Sequence, residues 1–224
     1  KPWREGIDGL LGNDAPFYFS FRTTNARLGS RKKTLSVEAP RVSVMPARPV
    51  VVNERYSEKP EALPRYSILM VTHNALEMVR LSTCRTLQHS AGQSAQLIVV
   101  DNASTDGTTQ WLQLLAARGN IQLIENMTNI GHGPGLELAR RQSTAPYLVT
   151  LDSDAFPLSD TWLTQLQARL IEPVRATGIL HHRDYIHPSC LMVHRNTLDE
   201  LNVTFLAEKD KPSRFDVGER VSFE

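Results

Sequence analysis

The chain predicts an α/β protein: a mostly parallel central sheet with flanking helices, preceded by an irregular N-terminal appendage of short strands. Three observations carry this. Segments 67–72, 96–100, 121–124 and 147–151 are continuously apolar rather than alternating, as in strands buried on both faces. A helical pattern comes after each one, so strand–helix units of about 30 residues recur and imply parallel strands joined by right-handed crossovers. Polar clusters then end three of the strands: Thr72-His73-Asn74, Asp101-Asn102 and Asp152-Ser153-Asp154. Ligands of such sheets bind at those carboxyl ends.

Residues 1–64 read as an appendage and Pro-rich linker, and residues 65–224 as the main domain. Phe17-Tyr18-Phe19-Ser20-Phe21 is an aromatic strand candidate, and 25–33 is basic with a turn at Gly29 and Ser30. Pro40, Pro46, Pro49, Pro60 and Pro64 break up residues 40–64, leaving 41–45 and 49–52 as short edge strands. The arm serves as a tether, or docks an acceptor, a neighbouring domain or a second copy in a homo-oligomer. From residue 66 the elements alternate. A helix over 75–90 turns Leu76, Val79, Cys84 and Leu87 inward. A second over 106–118 is capped by Ser104 or Asp106 and stopped by Gly119. A third over 134–143 opens on Pro134, a favoured first-turn position. Asp160 caps a fourth, with Trp162, Leu163, Leu166 and Leu170 inward. Segment 187–193 is a further strand, its Pro188 marking a turn or an edge.

Composition narrows the function. With 224 residues, 41% hydrophobic and 22% charged, the chain has the profile of a soluble globular protein. A net charge of +1 gives no field suited to nucleic acid. No run of about 18 apolar residues offers a transmembrane segment. Cys84 and Cys190 stand far apart and read as buried small hydrophobes. The sequon at Asn102 falls inside the expected ligand pocket, so it and those at Asn126 and Asn202 read as chance. The expected compartment is the cytoplasm, including the inner face of the membrane. The acceptor end, closing soon after Glu219, reads as truncated.

Asp152 and Asp154 are two anions one residue apart where an apolar strand ends. A divalent cation relieves such repulsion and leaves coordination sites for substrate phosphates. The plainer alternative is one helix cap and one solvated acid. Asp101, at another strand tip, either accepts hydrogen bonds from a base or ribose or opens an Asx-turn. Asn129-Ile130-Gly131-His132-Gly133-Pro134-Gly135 supplies glycines that let backbone approach a ligand, before a helix N-terminus that favours phosphate; a flexible turn has the same composition.

Taken together, these pieces resemble the family-2 glycosyltransferases of the GT-A fold. The matching segments are Ile68-Leu69-Met70-Val71-Thr72-His73-Asn74, Val99-Val100-Asp101-Asn102-Ala103-Ser104-Thr105-Asp106-Gly107-Thr108, Asn129-Ile130-Gly131 and Leu151-Asp152-Ser153-Asp154, across about residues 66–200. The resemblance implies an inverting transfer of a sugar from a nucleotide-sugar donor to a glycan, lipid or small-molecule acceptor. It implies that Thr72, His73 and Asn74 contact the nucleobase, Asp101 reads it, and Asn129 and Gly131 belong to the same donor site. Asp154 would bind Mg2+ or Mn2+, with Asp152 on the ribose or in the metal's surroundings. The general base is expected in the C-terminal part, first at Asp216 and then at Glu219.

The chain departs from that pattern in two places. Glu137, Arg140 and Arg141 occupy a stretch where the family often carries Asn, so Arg140 or Arg141 either meets phosphate or lines a solvated face. Val71 stands where a proline is common. His181, His182, His187 and His194 form a late cluster; adjacent His181 and His182 on a strand would face opposite sides. A methyltransferase or nucleotidyltransferase would need glycines after the first strand, and Thr72-His73-Asn74-Ala75 has none. The remaining alternative is a catalytically weak nucleotide-sugar-binding module of a larger protein.

Overall fold

Alternate residues of each central strand enter two different cores, and this alternation makes the three layers. The computed structural model describes residues 17–19, 63–207 and 215–222. In chain order the elements are β1 (Phe17–Phe19), β2 (Tyr66–Thr72), α1 (Leu76–Ser90), β3 (Ala95–Asn102), α2 (Thr108–Ala117), β4 (Gln122–Asn126), α3 (His132–Gln142) and β5 (Tyr147–Leu151). Then come β6 (Ala155–Pro157), α4 (Trp162–Gln167), β7 (Ala176–Leu180), β8 (Ile186–His194), α5 (Arg195–Glu200) and a 3-10 turn, Glu219–Ser222.

The main sheet runs β4-β3-β2-β5-β8-β7. Its first four strands are parallel, and β8 is antiparallel to both β5 and β7. The chain therefore winds outward from β2 to β4, then returns to β5 on the other side of β2. That reversal is a switch point, and the crevice beyond the strand ends lies there. β1 pairs antiparallel with β6 in a separate two-stranded ladder. The expected strands at 41–45 and 49–52 lie outside the described residues.

On one face, Ile68, Met70, Leu97, Val99, Val149 and Leu151 pack with Val79 of α1, Leu112 and Leu115 of α2, and Trp162 and Leu163 of α4. On the other, Leu69, Val71, Ile98, Val100 and Leu148 pack with Leu136 and Ala139 of α3, Leu198 of α5, and Phe205. Each such side chain contributes about 1.5–3 kcal/mol through burial. That packing is what holds α4, six residues long, since so short a helix does not form alone.

Several expectations are corrected. The inward face of α1 is Val79, Ser82, Thr83 and Thr86, with Leu87 partly buried against the same core as expected, while Cys84 is exposed. Small hydroxyl residues fill this face, and Thr83 finds a local partner: its Oγ1 donates to the Val79 carbonyl at 2.6 Å. Asp160 does not cap α4; it accepts a bond from His89 Nδ1 at 2.6 Å. α3 begins two residues before Pro134, which keeps its place in the first turn. Pro188 lies in an interior strand, at a register shift opposite Gly178 and Ile179 that removes the need for its missing N–H. His181 and His182 come after β7 in a turn rather than on a strand, with ring centres 3.9 Å apart.

Candidate active site

The tips of β2 and β3 form one rim, because the ladder pairs Thr72 with Asp101. Thr72 is 2% exposed, and its Oγ1 has no hydrogen-bond partner among the described residues. A buried unbonded hydroxyl is costly, so a strand tip that keeps one is suited to a ligand group. Asp101 is 1% exposed, and its carboxylate is engaged from within: Ser104 Oγ donates to Oδ1 and Thr109 Oγ1 to Oδ2, each at 2.5 Å.

The two loops beyond this rim are stitched together. His73 Nδ1 donates to the Asn102 carbonyl at 2.7 Å, which fixes its tautomer. The Asn74 N–H donates to Ser104 Oγ at 2.9 Å, and its Oδ1 accepts from the Thr105 N–H at 2.7 Å. Asp106 accepts from the Leu76 N–H and the Thr108 N–H, both at 3.0 Å, so one carboxylate holds the starts of two helices. These bonds, the Thr108 hydroxyl's above all, hold Asp106 below the usual carboxylate range.

The third loop joins through β4. Asn126 Nδ2 donates to Asn102 Oδ1 at 2.8 Å, and Asn102 Nδ2 to the Gly131 carbonyl at 3.2 Å. Asn129 Oδ1 accepts from the Gly131 N–H at 2.9 Å. Gly131 sits at φ 92°, in the left-handed region, which turns the chain into α3. The other two glycines serve packing. A Cβ on Gly135 would stand 2.8 Å from Val71 Cγ1, and one on Gly133 2.9 Å from the Phe205 carbonyl oxygen. The glycine run thus lays α3 on β2 rather than cradling a ligand with all three residues.

Asp152 and Asp154 come from the tip of β5, two and four residues past the last pairing with β2, Leu69 with Thr150. The Asp152 N–H donates to the Ser189 carbonyl at 3.1 Å, which ties the acids to β8. His132, the first residue of α3, places Nε2 3.5 Å from Asp152 Oδ1. Burial pushes Asp152 up to about 6; His187 opposes the rise and Asp154 adds to it. Burial also holds His132 below the ordinary imidazole value, against the fields of Asp216 and Asp154. It lowers His187 too, against the field of Asp152. Among the described residues no group of three or more His, Cys, Asp or Glu side chains is arranged to hold a metal ion.

The C-terminal acids approach the same edge. Exposed Asp216 has Oδ2 3.3 Å from Arg183, and its field reaches His132, His181 and His187. Glu219 is 8% exposed; its Oε2 accepts from the Asp216 N–H at 2.7 Å and lies 3.6 Å from Arg183. Arg140 is bonded to Glu137 and Asp199, each at 2.9 Å. Buried Glu137 also accepts from the Phe205 N–H at 2.7 Å. Arg140 therefore braces α3. Sequence reasoning missed His132, whose signal was a polar residue opening a helix, and Arg183, which became visible only once the turn after β7 was placed.

A mixed sheet of this order, with acids beyond the strand on the far side of its switch point, is the architecture of a GT-A glycosyltransferase. The chain belongs to glycosyl transferase family 2: the family model of that description matches residues 67–204, more than half of it. It is similar in fold to the mannosyltransferase PcManGT from Pyrobaculum calidifontis in complex with GDP-Man and Mn2+. There the TM-score is 0.56 at 21% identity, over 69% of this chain and 50% of that one. It is also similar to S. aureus TarS 1-349, with TM-score 0.51 at 16% identity over 63% and 50% of the two chains. The same TarS portion in complex with UDP-GlcNAc gives 0.51 at 16%, over 63% and 48%. The chain spans about half the length of these structures. No curated protein sequence matches it.

Proposed function

We propose that the chain transfers a sugar, with inversion, from a nucleotide-diphosphate sugar to an acceptor hydroxyl, in the presence of Mg2+ or Mn2+. The observation that carries this is the shared edge: an unpartnered Thr72 hydroxyl at one strand tip and a crowded acid pair, Asp152 with Asp154, at another. The base lies at the tips of β2 and β3, against Thr72, His73 and Asn74. Because Asp101 already takes two hydroxyls, it orders the wall of the base pocket and Thr72 makes the direct contact. Asn129 and Gly131 shape the loop beside the diphosphate, and Asp152 faces the ribose.

The donor set suits a hard cation. Mg2+ and Mn2+ favour oxygen ligands and are commonly held by one or two carboxylates plus substrate phosphates, in keeping with described residues that offer no three-ligand protein group. Asp154 would hold it, with Asp152 beside it. Such a cation neutralises charge on a departing diphosphate.

The acceptor oxygen attacks the anomeric carbon as the carbon–oxygen bond to phosphate breaks. The bonding pair leaves with the nucleoside diphosphate, and the acceptor proton passes to Asp216. What supports Asp216 over Glu219 is exposure: Glu219 is buried and bonded to the Asp216 N–H, so it positions the loop. Two strands, β7 and β8, antiparallel to each other, bring this acceptor side to the donor edge. A panel of nucleotide sugars with Mn2+, read by release of nucleoside diphosphate, tests the proposal. Turnover that falls by about 10²–10³ in Asp154→Ala supports it. Donor binding without turnover on any acceptor would point instead to a binding module.

A further inference from the structure

We infer that the acceptor is an uncharged saccharide, seated on a wall of stacked rings in the turn between β7 and β8, opposite Asp216. This rests on the transferase reading above and deepens it. The turn and the start of β8 gather four rings. His182 lies 3.9 Å from His181, which lies 4.5 Å from Tyr185 and 5.3 Å from His187, the last pair stacked at 20°. Tyr185 is buried, His181 and His187 are partly buried and His182 is exposed. The row therefore runs from the neighbourhood of Asp152, whose field reaches His187, out to solvent. A sugar has apolar C–H faces that pack on rings and hydroxyls that bond to ring nitrogens, so a mixed wall of this kind fits it.

Charge sets the class of acceptor. Around the row stand Asp152, Asp216 and Glu219, whose fields reach its histidines, and Asp184 in the turn itself. The cation of the turn, Arg183, is already engaged, 3.3 Å from Asp216, 3.6 Å from Glu219 and 3.3 Å from the Tyr185 hydroxyl, with its guanidinium over the Tyr185 ring. Burial, His182 and Arg183 hold His181 below the ordinary imidazole value, against the fields of Asp216 and Glu219. A phosphorylated or carboxylated acceptor meets repulsion here, and a neutral one does not. Arg183 also makes the wall and Asp216 one unit, helped by the Ile186 N–H, which donates to Ser222 Oγ at 2.8 Å. Arg183 is thus a positioning residue.

Saturation-transfer NMR on the full chain, with UDP or GDP and Mn2+ present, tests this. The probes are maltose, cellobiose and diacetylchitobiose, with glucose 6-phosphate, a galacturonic acid dimer and phosphatidylglycerol vesicles as anionic counterparts. A neutral disaccharide should take up saturation, and its affinity should fall about fivefold or more in His182→Ala. Arg183→Ala should show the same fall, partly restored in Arg183→Lys. The inference is overturned if no neutral disaccharide binds, if an anionic probe binds as well, or if His182→Ala binds as the wild type does. A separate calorimetric titration of the wild type with UDP and GDP reads the donor site alone, so its failure sinks the donor reading and is told apart from failure here.

Discussion

Asp152 illustrates how a single residue trades stability for function. Its folded pKa, about 6, lies above the ordinary 3.8, so ionisation costs the folded state. Without a cation, stability should fall as pH rises from about 4 through 6, by up to about 3 kcal/mol. Asp152→Asn should remove that fall, as urea titrations with a chelator at pH 4.5 and 7.5 would show. The same substitution should weaken donor turnover. Asp154→Ala should lower kcat/KM by about 10²–10³, the typical cost of losing one preorganised electrostatic partner. Asp216→Asn should lower kcat by about 10²–10⁴ while donor affinity stays within a small factor, and single-turnover assays with calorimetry separate the two. The acid pair was legible from sequence because the run before it is so plainly a strand. The environment of Asp101 was not, since Thr109 reaches it from the next helix.

Among the elements, α3 depends on closeness. Gly135 lets its first turn lie on Val71, and a Cβ at 2.8 Å leaves no room. Gly135→Ala should cost about 1–3 kcal/mol by overpacking, measured as a lower urea midpoint, and Val71→Ala in the same chain should recover part of it. Asp106 joins two helix starts from an exposed position, and Asp106→Ala should cost about 1 kcal/mol. Its pKa is depressed, so this support is present above pH 4 and is lost as pH falls through the folded pKa. Strands β2, β3 and β5 were readable because both of their faces are buried. The face of α1 was read only in part: Val79 and Leu87 pack inward as expected, but Ser82, Thr83 and Thr86 carry hydroxyls, which hydropathy counts as polar although the helix buries them. Asp160 was misread because its partner, His89, is 71 residues away.

At the scale of the molecule, strand order converts separated motifs into a site. Thr72, Asp101 and Asp152 lie up to 80 residues apart in sequence, yet parallel pairing of β3 and β5 on either side of β2 puts all three on one edge. Repeated strand–helix units made that parallel core legible. Strand β8 was legible as segment 187–193, but its antiparallel partner β7 was not, since a register shift interrupts the pairing, and with it went the placement of the ring wall and Arg183. If the tips of β2, β3 and β5 surround one nucleotide and its cation, both ligands should register on the same set of loops. Amide NMR of the chain titrated with UDP or GDP, then with Mn2+, addresses this directly. Signals of 72–74 and 103–105 should shift with nucleotide, and added Mn2+ should broaden signals of residues 152–155 and 131–132 in the same complex. Shifts confined to one loop, or broadening centred away from Asp154, would show that no such shared pocket exists.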